Sequence, residues 1–302
     1  MNEQQALHAP VMLTEAVESL NIQPNSWYID GTFGRGGHTK AILEKGGNVI
    51  ALDHDQEAIQ YGQIHFVKEV ESKRLILLRT NFDAMKNTIA LSKEVPEEAK
   101  KEIKGILFDF GTSVDQLTNQ ERGFSFFGDG PLDMRMDDRL GVTAAQLLAV
   151  LSEQQLSDVF REFGGEEAAK AIARSIVQER KTNPIQTTQQ LVNIVAKSKR
   201  KRDKLHPATK VFQALRIVVN SELDNIKAAL PQALSLISLN GVIVTIAFHE
   251  GEDRIVKHTF REWEQAGLVE NEDLQKPSIQ EINENPRSRS AKLRVCKKIR
   301  TK

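Results

Sequence analysis

The chain has a single cysteine, Cys296, among 302 residues. That excludes an intrachain disulfide and a cysteine zinc cluster, and a reducing compartment fits. Long apolar runs are missing too. The longest are about the length of Val242–Phe248, whereas a bilayer span needs roughly 20 residues. The opening MNEQQALHAPVML has no basic stretch followed by an apolar one, so no secretory signal is expected there. These absences predict a soluble, cytoplasmic protein. Neither sign of charge is in excess, with 41 Lys+Arg against 41 Asp+Glu. Taken alone, that balance argues against a nucleic-acid partner, because phosphates need a cationic surface. No internal repeat is apparent.

What is present suggests two domains or one large one. The first half alternates strands and helices. Trp27–Asp30, Asn48–Leu52, Arg74–Leu78 and Ile103–Phe110 read as buried strands. His38–Lys45 and Gln56–Val70 have apolar residues at helical spacing. This alternation implies a parallel sheet with right-handed crossovers. From Thr112 to about Ala208 no strand is convincing, and Leu147–Glu162, Glu166–Lys181 and Gln186–Lys201 look helical. Thr209–Leu239 is a long helical stretch with a break expected near Pro231, and Gly241–Phe248 and Leu293–Ile299 are the last strands. The expected organisation is a discontinuous α/β domain, 1–111 plus 209–302, with a helical insertion at 112–208.

The segment D-G-T-F-G-R-G-G-H (30–38) follows a strand and opens a helix. Glycines there let backbone approach a ligand, and a helix start presents free N–H groups. The third glycine of G-x-G-x-x-G is replaced by Thr39, which weakens a dinucleotide reading. Acids stand at strand ends instead: Asp30 after the first, Asp53 after the second, Asn81-Phe82-Asp83 after the third and Asp109 after the fourth. Ligands of open α/β sheets bind at those ends, although Asp and Asn are also common turn residues. Acids without a complete phosphate fingerprint favour a cationic nucleoside such as S-adenosylmethionine. Asp30 could hold its ammonium end directly or through water, Asp53 would hold its ribose, and Phe82 would pack near the adenine.

The chain resembles the RsmH (MraW) methyltransferases in H-A-P-V-M-L-T-E-A-V (8–17), Y-I-D-G-T-F-G-R-G-G-H (28–38), E-R-G-F-S-F (121–126) and D-G-P-L-D-M-R-M-D (129–137). The same holds for H-P-A-T-K-V-F-Q-A-L-R-I-V-V-N-S-E-L (206–223), F-H-E-G-E-D-R-I-V-K (248–257) and E-N-P-R-S-R-S-A-K-L-R (284–294). The resemblance implies a class I S-adenosylmethionine-dependent (Rossmann-like) methyltransferase domain with an inserted helical domain. It implies methylation of the exocyclic N4 of a cytidine in the decoding region of 16S rRNA. It also implies cofactor contacts at Gly36, Gly37, His38, Asp53, Phe82, Asp109 and Gln116. Three segments depart from the family pattern. D-F-G-T-S-V-D-Q-L-T (109–118) has Asp115 where proline is usual, A-F-H-E-G-E-D-R (247–254) has lost two serines, and F-G-G-E-E (163–167) replaces Y-G-E-E-R.

A cytosine amine is a poor nucleophile, because its lone pair is delocalised into the ring. It must be held in line with the methyl group and must lose a proton. Asp109 and Ser113 stand where many amine methyltransferases carry an Asn or Asp followed by Pro-Pro-aromatic, so they are the candidate catalytic pair. Asp109 could equally bind cofactor or order its loop. Methylation at the pyrimidine C5 usually needs a cysteine, and Cys296 in a basic terminal strand reads as a small core residue. His249, Glu250, Glu252 and Asp253 match no standard ligand spacing, so no metal is expected.

For RNA, the loop 121–139 offers Phe124, Phe126 and Phe127 with Arg122, Arg135 and Arg139. These could stack an extruded base or anchor the insertion. His249 faces substrate or satisfies a loop. Two basic runs raise the RNA reading: Lys197–Lys204, with Lys199, Arg200 and Arg202, and Pro286–Lys302, with Arg287 and Arg289. The expected partner is 16S rRNA or the assembled small subunit, and a homodimer is left open. Two other readings stand beside the rRNA methyltransferase. One is a small-molecule methyltransferase or NAD enzyme. The other is a non-catalytic ribosome-assembly factor on the same fold.

Overall fold

A computed structural model describes residues 10–113, 119–199 and 206–300. The chain divides into two compact units, Met1–Gly111 with Leu223–Lys302, and Thr112–Glu222.

The first unit is built on a seven-stranded sheet. Its strands are β1 (Trp27–Asp30), β2 (Asn48–Asp53), β3 (Leu75–Arg79), β4 (Ile103–Asp109), β5 (Ile237–Ala247), β6 (Val269–Asn271) and β7 (Lys292–Lys298), in the order β3-β2-β1-β4-β5-β7-β6. The strands β1 to β5 pair in parallel, and β7 runs antiparallel to β5 and β6. Near-continuous aliphatic runs form these central strands because helices cover both faces and leave no polar side. Side chains alternate between two cores. Ile29, Ile50 and Phe108 face Ile226 and Leu230 of the helix Glu222–Leu236 and Val256 and Phe260 of the helix Glu250–Gln265. Tyr28, Val49 and Leu107 face Ala16 of the helix Leu13–Ser19 and Ile42 of the helix Gly37–Glu44.

The basic last strand is largely used in packing. Lys298 is buried, and its ammonium donates to the Leu234 and Ile237 carbonyls at 2.8 Å, in the last turn of a helix and just beyond it. Lys292 and Arg294 both pair with Asp253, at 2.8 and 2.7 Å. Burial alone would raise the Asp253 pKa, but the bonds from Arg294 and Lys292 hold it below the usual value.

The second unit packs the helices Ala144–Val150, Glu153–Glu162, Ala169–Glu179, Thr188–Ser198 and Thr209–Val219 around one apolar core. Three of them start with a capping box: Thr143 with Gln146, Ser152 with Gln155 and Thr187 with Gln190. Two buried side chains carry opposite charge, with Lys199 Nζ 2.8 Å from Glu166 Oε2.

Several boundaries differ from the sequence expectation. The stretch 56–70 is two helices, Gln56–His65 and Val67–Glu71, separated at the buried Phe66. The break expected near Pro231 lies instead at Asn220 and Ser221, where Ser221 has φ 51°. The Asn220 amide donates to the Met134 and Arg216 carbonyls and accepts from the Met136 N–H, which stops the helix there. Pro231 sits inside the next helix on its exposed side, where the carbonyl it leaves unpaired can reach water. The first unit resumes at Leu223 rather than 209, because Val211, Phe212 and Leu215 belong to the core of the helical unit. No helix among the described residues is long and apolar enough to cross a membrane.

Candidate active site

The polar residues expected at strand ends converge at the C-terminal edge of β1 to β4. Asp30 ends β1 and is 1% exposed. Its two oxygens accept from the Thr32 N–H at 3.1 Å and the Thr39 hydroxyl at 2.7 Å. Asp30 is therefore held beneath the glycine loop, and its burial speaks against direct contact with a ligand's ammonium group, which leaves the indirect one of the two routes expected for it. Burial, reinforced by Asp53, lifts its pKa to about 6 against the hydrogen bonds from Thr39 and Thr32. Thr39, the residue that breaks the dinucleotide pattern, is what holds Asp30.

The loop itself is fixed by two glycines. A Cβ at Gly31 would lie 2.5 Å from the Phe108 ring. Gly36 caps the following helix in the left-handed conformation, φ 71°, and a Cβ there would lie 2.7 Å from the Phe33 ring and 2.8 Å from the Phe66 ring. Gly36→Ala is expected to destabilise the chain by more than ~2 kcal/mol, the left-handed cost plus the clash. Urea denaturation reads this directly. At the helix start the N–H groups of Gly37 and His38 have no intrahelical acceptor. The His38 ring is buried, with Nε2 3.2 Å from the Val11 carbonyl, and burial lowers its pKa despite the nearby Asp109.

Asp53 closes β2. One oxygen accepts from the Gly34 N–H and the other from the Asp55 N–H, both at 2.8 Å. Its pKa is raised, chiefly by burial. At Gly34 no described residue beyond its chain neighbours lies within 4 Å of a hypothetical Cβ. Two polar atoms nearby in sequence are buried without a hydrogen-bond partner among the described residues, His54 Nε2 beside Asp53 and Asn81 Oδ1 after β3. Phe82 stands edge-on to Phe108 at 5.7 Å and tilted to Phe110 at 5.8 Å. His54 carries no signal of a site role in the sequence. Asn81 is marked by its position at a strand end.

Asp109 ends β4. Its N–H donates to Thr32 Oγ1 at 2.7 Å, and its Oδ1 accepts from the Gly111 N–H at 3.3 Å. Burial is the main cause that pushes its pKa up to about 6. Asp30 and Glu252 add to the rise, while His38 and the Gly111 bond oppose it. His249 lies just beyond β5 and caps the helix Glu250–Gln265, its Nδ1 accepting from the Gly251 and Glu252 N–H groups. Its Nε2 is 3.1 Å from Glu252 Oε1 but off the line a hydrogen bond requires. Glu252, 1% exposed, returns the cap by accepting from the Phe248 and His249 N–H groups. Of the two roles open for His249, the loop-satisfying one is accounted for by its Nδ1.

The expected RNA residues divide sharply. In the helical unit Phe124 is 5% exposed and sits in the core, so it is an anchor and not a stacking ring. Arg122 donates to the Arg135 and Met136 carbonyls, and Arg135 is held by both oxygens of Asp133. Both arginines thus order their own loop. Lys199 is buried against Glu166. Phe124 and Lys199 are thus structural, which corrects the expectation for those two, while Arg122 and Arg135 are half-buried and engaged within their own loop. Arg287 and Arg289 are exposed on the short turn Pro286–Ser290. Phe127, 71% exposed, is the aromatic of the loop that reaches solvent. Gln116, Arg200 and Arg202 lie outside the described residues, and Ser113 is the last described residue before 114–118.

The sheet order, with one antiparallel strand between β5 and β6, and the carboxylates at the strand ends define a class I, S-adenosylmethionine-dependent methyltransferase. The residues fit that cofactor: carboxylates suit a cation, Asp53 suits a ribose, and buried unpartnered atoms at His54 and Asn81 await polar partners. The chain belongs to the MraW methylase family, whose model matches residues 5–299. It is 41% identical to the ribosomal RNA small subunit methyltransferase H of Nitrosococcus oceani, over 98% of both chains. Its identity to the protein of that name from Methylobacillus flagellatus is 43%, over 96% of this chain and 94% of that one. The Desulfotalea psychrophila protein of the same name is also 43% identical, over 97% and 98%.

Proposed function

We propose that this chain methylates the exocyclic N4 of a cytidine in the decoding region of 16S rRNA. The observation that carries the rRNA reading is the 41–43% identity, across nearly the whole chain, to methyltransferases named for small-subunit rRNA. Two features support the amine as acceptor. Asp109 places a carboxylate of pKa about 6 at the end of β4. Cys296 is buried within β7 and its thiol is pushed up by burial, so it is unsuited to the nucleophilic attack that C5 methylation uses.

Bound, S-adenosylmethionine supplies an electrophilic methyl group on a sulfonium. In this reading Asp53 accepts from the ribose hydroxyls, Asn81 and Phe82 hold the adenine, and the N–H groups at Gly37 and His38 meet the amino-acid carboxylate. Gln116 completes the set. Asp109 accepts a hydrogen bond from the N4 amine, which draws its lone pair out of conjugation and provides an acceptor for the departing proton. Ser113 orients the same amine. Holding the amine in line supplies roughly 7–11 kcal/mol in good cases. The helical unit contacts the RNA, with Phe127 the ring of the loop best placed to stack a base.

Asp53→Ala removes two charge-assisted hydrogen bonds and is expected to weaken cofactor binding about 10²-fold by calorimetry, at ~1.5 kcal/mol per bond. The activity itself is tested by methyl transfer from tritiated cofactor to 16S rRNA and to small subunits, followed by mass spectrometry of the modified nucleoside. N4-methylcytidine is the expected product. Label at C5 overturns the amine chemistry, and binding without transfer leaves a non-catalytic assembly factor.

A further inference from the structure

The cations expected to meet RNA are mostly engaged within the fold, whereas a set outside both basic runs is not. The helix Glu250–Gln265 carries Arg254, Lys257, His258 and Arg261 at spacings of three and four residues, which places them on one face. That face is opposite the one formed by Glu252, Val256 and Phe260, which are buried. Arg254, His258 and Arg261 are exposed and Lys257 is half-buried. None of the four has an ion pair or hydrogen bond among the described residues. No acid lies between Arg254 and Arg261 in sequence. Glu250, Glu262 and Glu264 stand outside that stretch, and Glu264 accepts from the Asn271 N–H.

The contrast with the other cations is chemical. Lys199, Lys292, Arg294, Arg135 and Arg139 each have a carboxylate within 3 Å. An unpaired row costs self-repulsion unless an anion covers it. The row also starts in a useful place. Its helix begins directly after β5, whose Ile246 pairs with Asp109, and the row extends ~10 Å along the helix from Arg254 to Arg261.

We propose that Arg254, Lys257 and Arg261 form a phosphate-binding rail that carries the RNA backbone up to the Asp109 end of the sheet, with His258 a further donor along it. The inference rests on the rRNA reading above. A repeating polyanion is favoured over a single phosphate because the charges are spread along the helix and not gathered at one point. The rail reads no sequence, since it meets backbone only.

The test compares wild type with the triple variant Arg254→Gln, Lys257→Gln, Arg261→Gln and with its charge-keeping counterpart Arg254→Lys, Lys257→Arg, Arg261→Lys. Binding of a 16S rRNA fragment is followed across salt concentrations, with thermal stability and S-adenosylhomocysteine binding as folding controls. The glutamine triple is expected to lower the slope of log Kd against log salt by about 2. It should raise the KM for RNA and leave kcat and S-adenosylhomocysteine affinity unchanged. The charge-keeping triple should behave as wild type. An unchanged slope in the glutamine triple overturns the rail while leaving rRNA methylation standing. A wild type that neither binds nor methylates rRNA overturns both. Loss of S-adenosylhomocysteine binding in the glutamine triple also overturns the rail, since the residues would then be structural.

Discussion

Asp109→Asn is expected to lower kcat for methyl transfer by ~10²-fold or more and to abolish the acidic limb of its pH profile. The carboxyl of Asp109 has a pKa of about 6. Below that value it holds a proton and cannot accept one from the amine. Turnover in wild type should therefore fall about tenfold per pH unit below 6 and level off above it. Asparagine keeps the shape and can still accept the Gly111 N–H, but it has no proton to gain or lose in this range. Asp30 shares the value of about 6, so it needs its own control. Both its oxygens are engaged by Thr32 and Thr39. Asp30→Asn should therefore alter cofactor affinity and leave the limb of kcat, measured at saturating cofactor, in place. A limb that survives in Asp109→Asn with undiminished kcat removes Asp109 from the chemistry.

The same carboxylates bear on folding. Their folded pKa lies above the ordinary 3.8, so the folded chain favours the protonated form. Their ionisation costs nothing well below pH 3.8, and the cost is complete above about 6. For Asp30 that cost is about 3 kcal/mol. A cleft that is least comfortable when fully ionised is one that a cationic ligand would relieve.

The second large effect concerns Lys199. Lys199→Ala is expected to destabilise the helical unit by about 3–5 kcal/mol, because it leaves the Glu166 carboxylate buried and unpaired. Glu166 is 2% exposed, and its other oxygen is committed to the Ala168 N–H. The joint replacement Lys199→Met, Glu166→Gln should recover part of the loss, since it removes both charges together. Chemical denaturation followed by fluorescence and circular dichroism measures both. The salt dependence of RNA binding should be the same in the joint variant as in wild type. A reduced slope there would return Lys199 to the phosphate contacts.

The strands were legible because their aliphatic runs are buried on both sides. Tyr28 and Ile29, or Leu107 and Phe108, serve opposite cores and so read as unbroken hydrophobic segments. Strand-end residues such as Asp53 and Asp109 were legible for a related reason, since a polar residue ending such a run must sit at the sheet's edge. What a side chain does once it arrives was far less visible. Whether a lysine meets phosphate or Glu166 depends on a partner distant in sequence. Whether Phe124 or Phe127 faces water depends on the path of one loop. His249 looked like a site residue because of its place after β5, and only its backbone partners show it to be a cap. The row on the helix Glu250–Gln265 was masked by acids at its two ends, which hide it in any count of local charge.

The first unit is assembled from two stretches of chain separated by a unit that is continuous in sequence. During synthesis, the helices of 112–222 can gather their own core as soon as they emerge, while the half-sheet β1 to β4 still has an unpaired edge at β4. That edge closes only when β5 arrives, and β5 in turn needs β7 and the Lys298 ammonium that ties the strand to the end of the preceding helix. The cofactor cleft is thus completed late. Its acids stand at the ends of early strands, but their setting depends on residues translated last, so a truncated product would hold the acids without a working site.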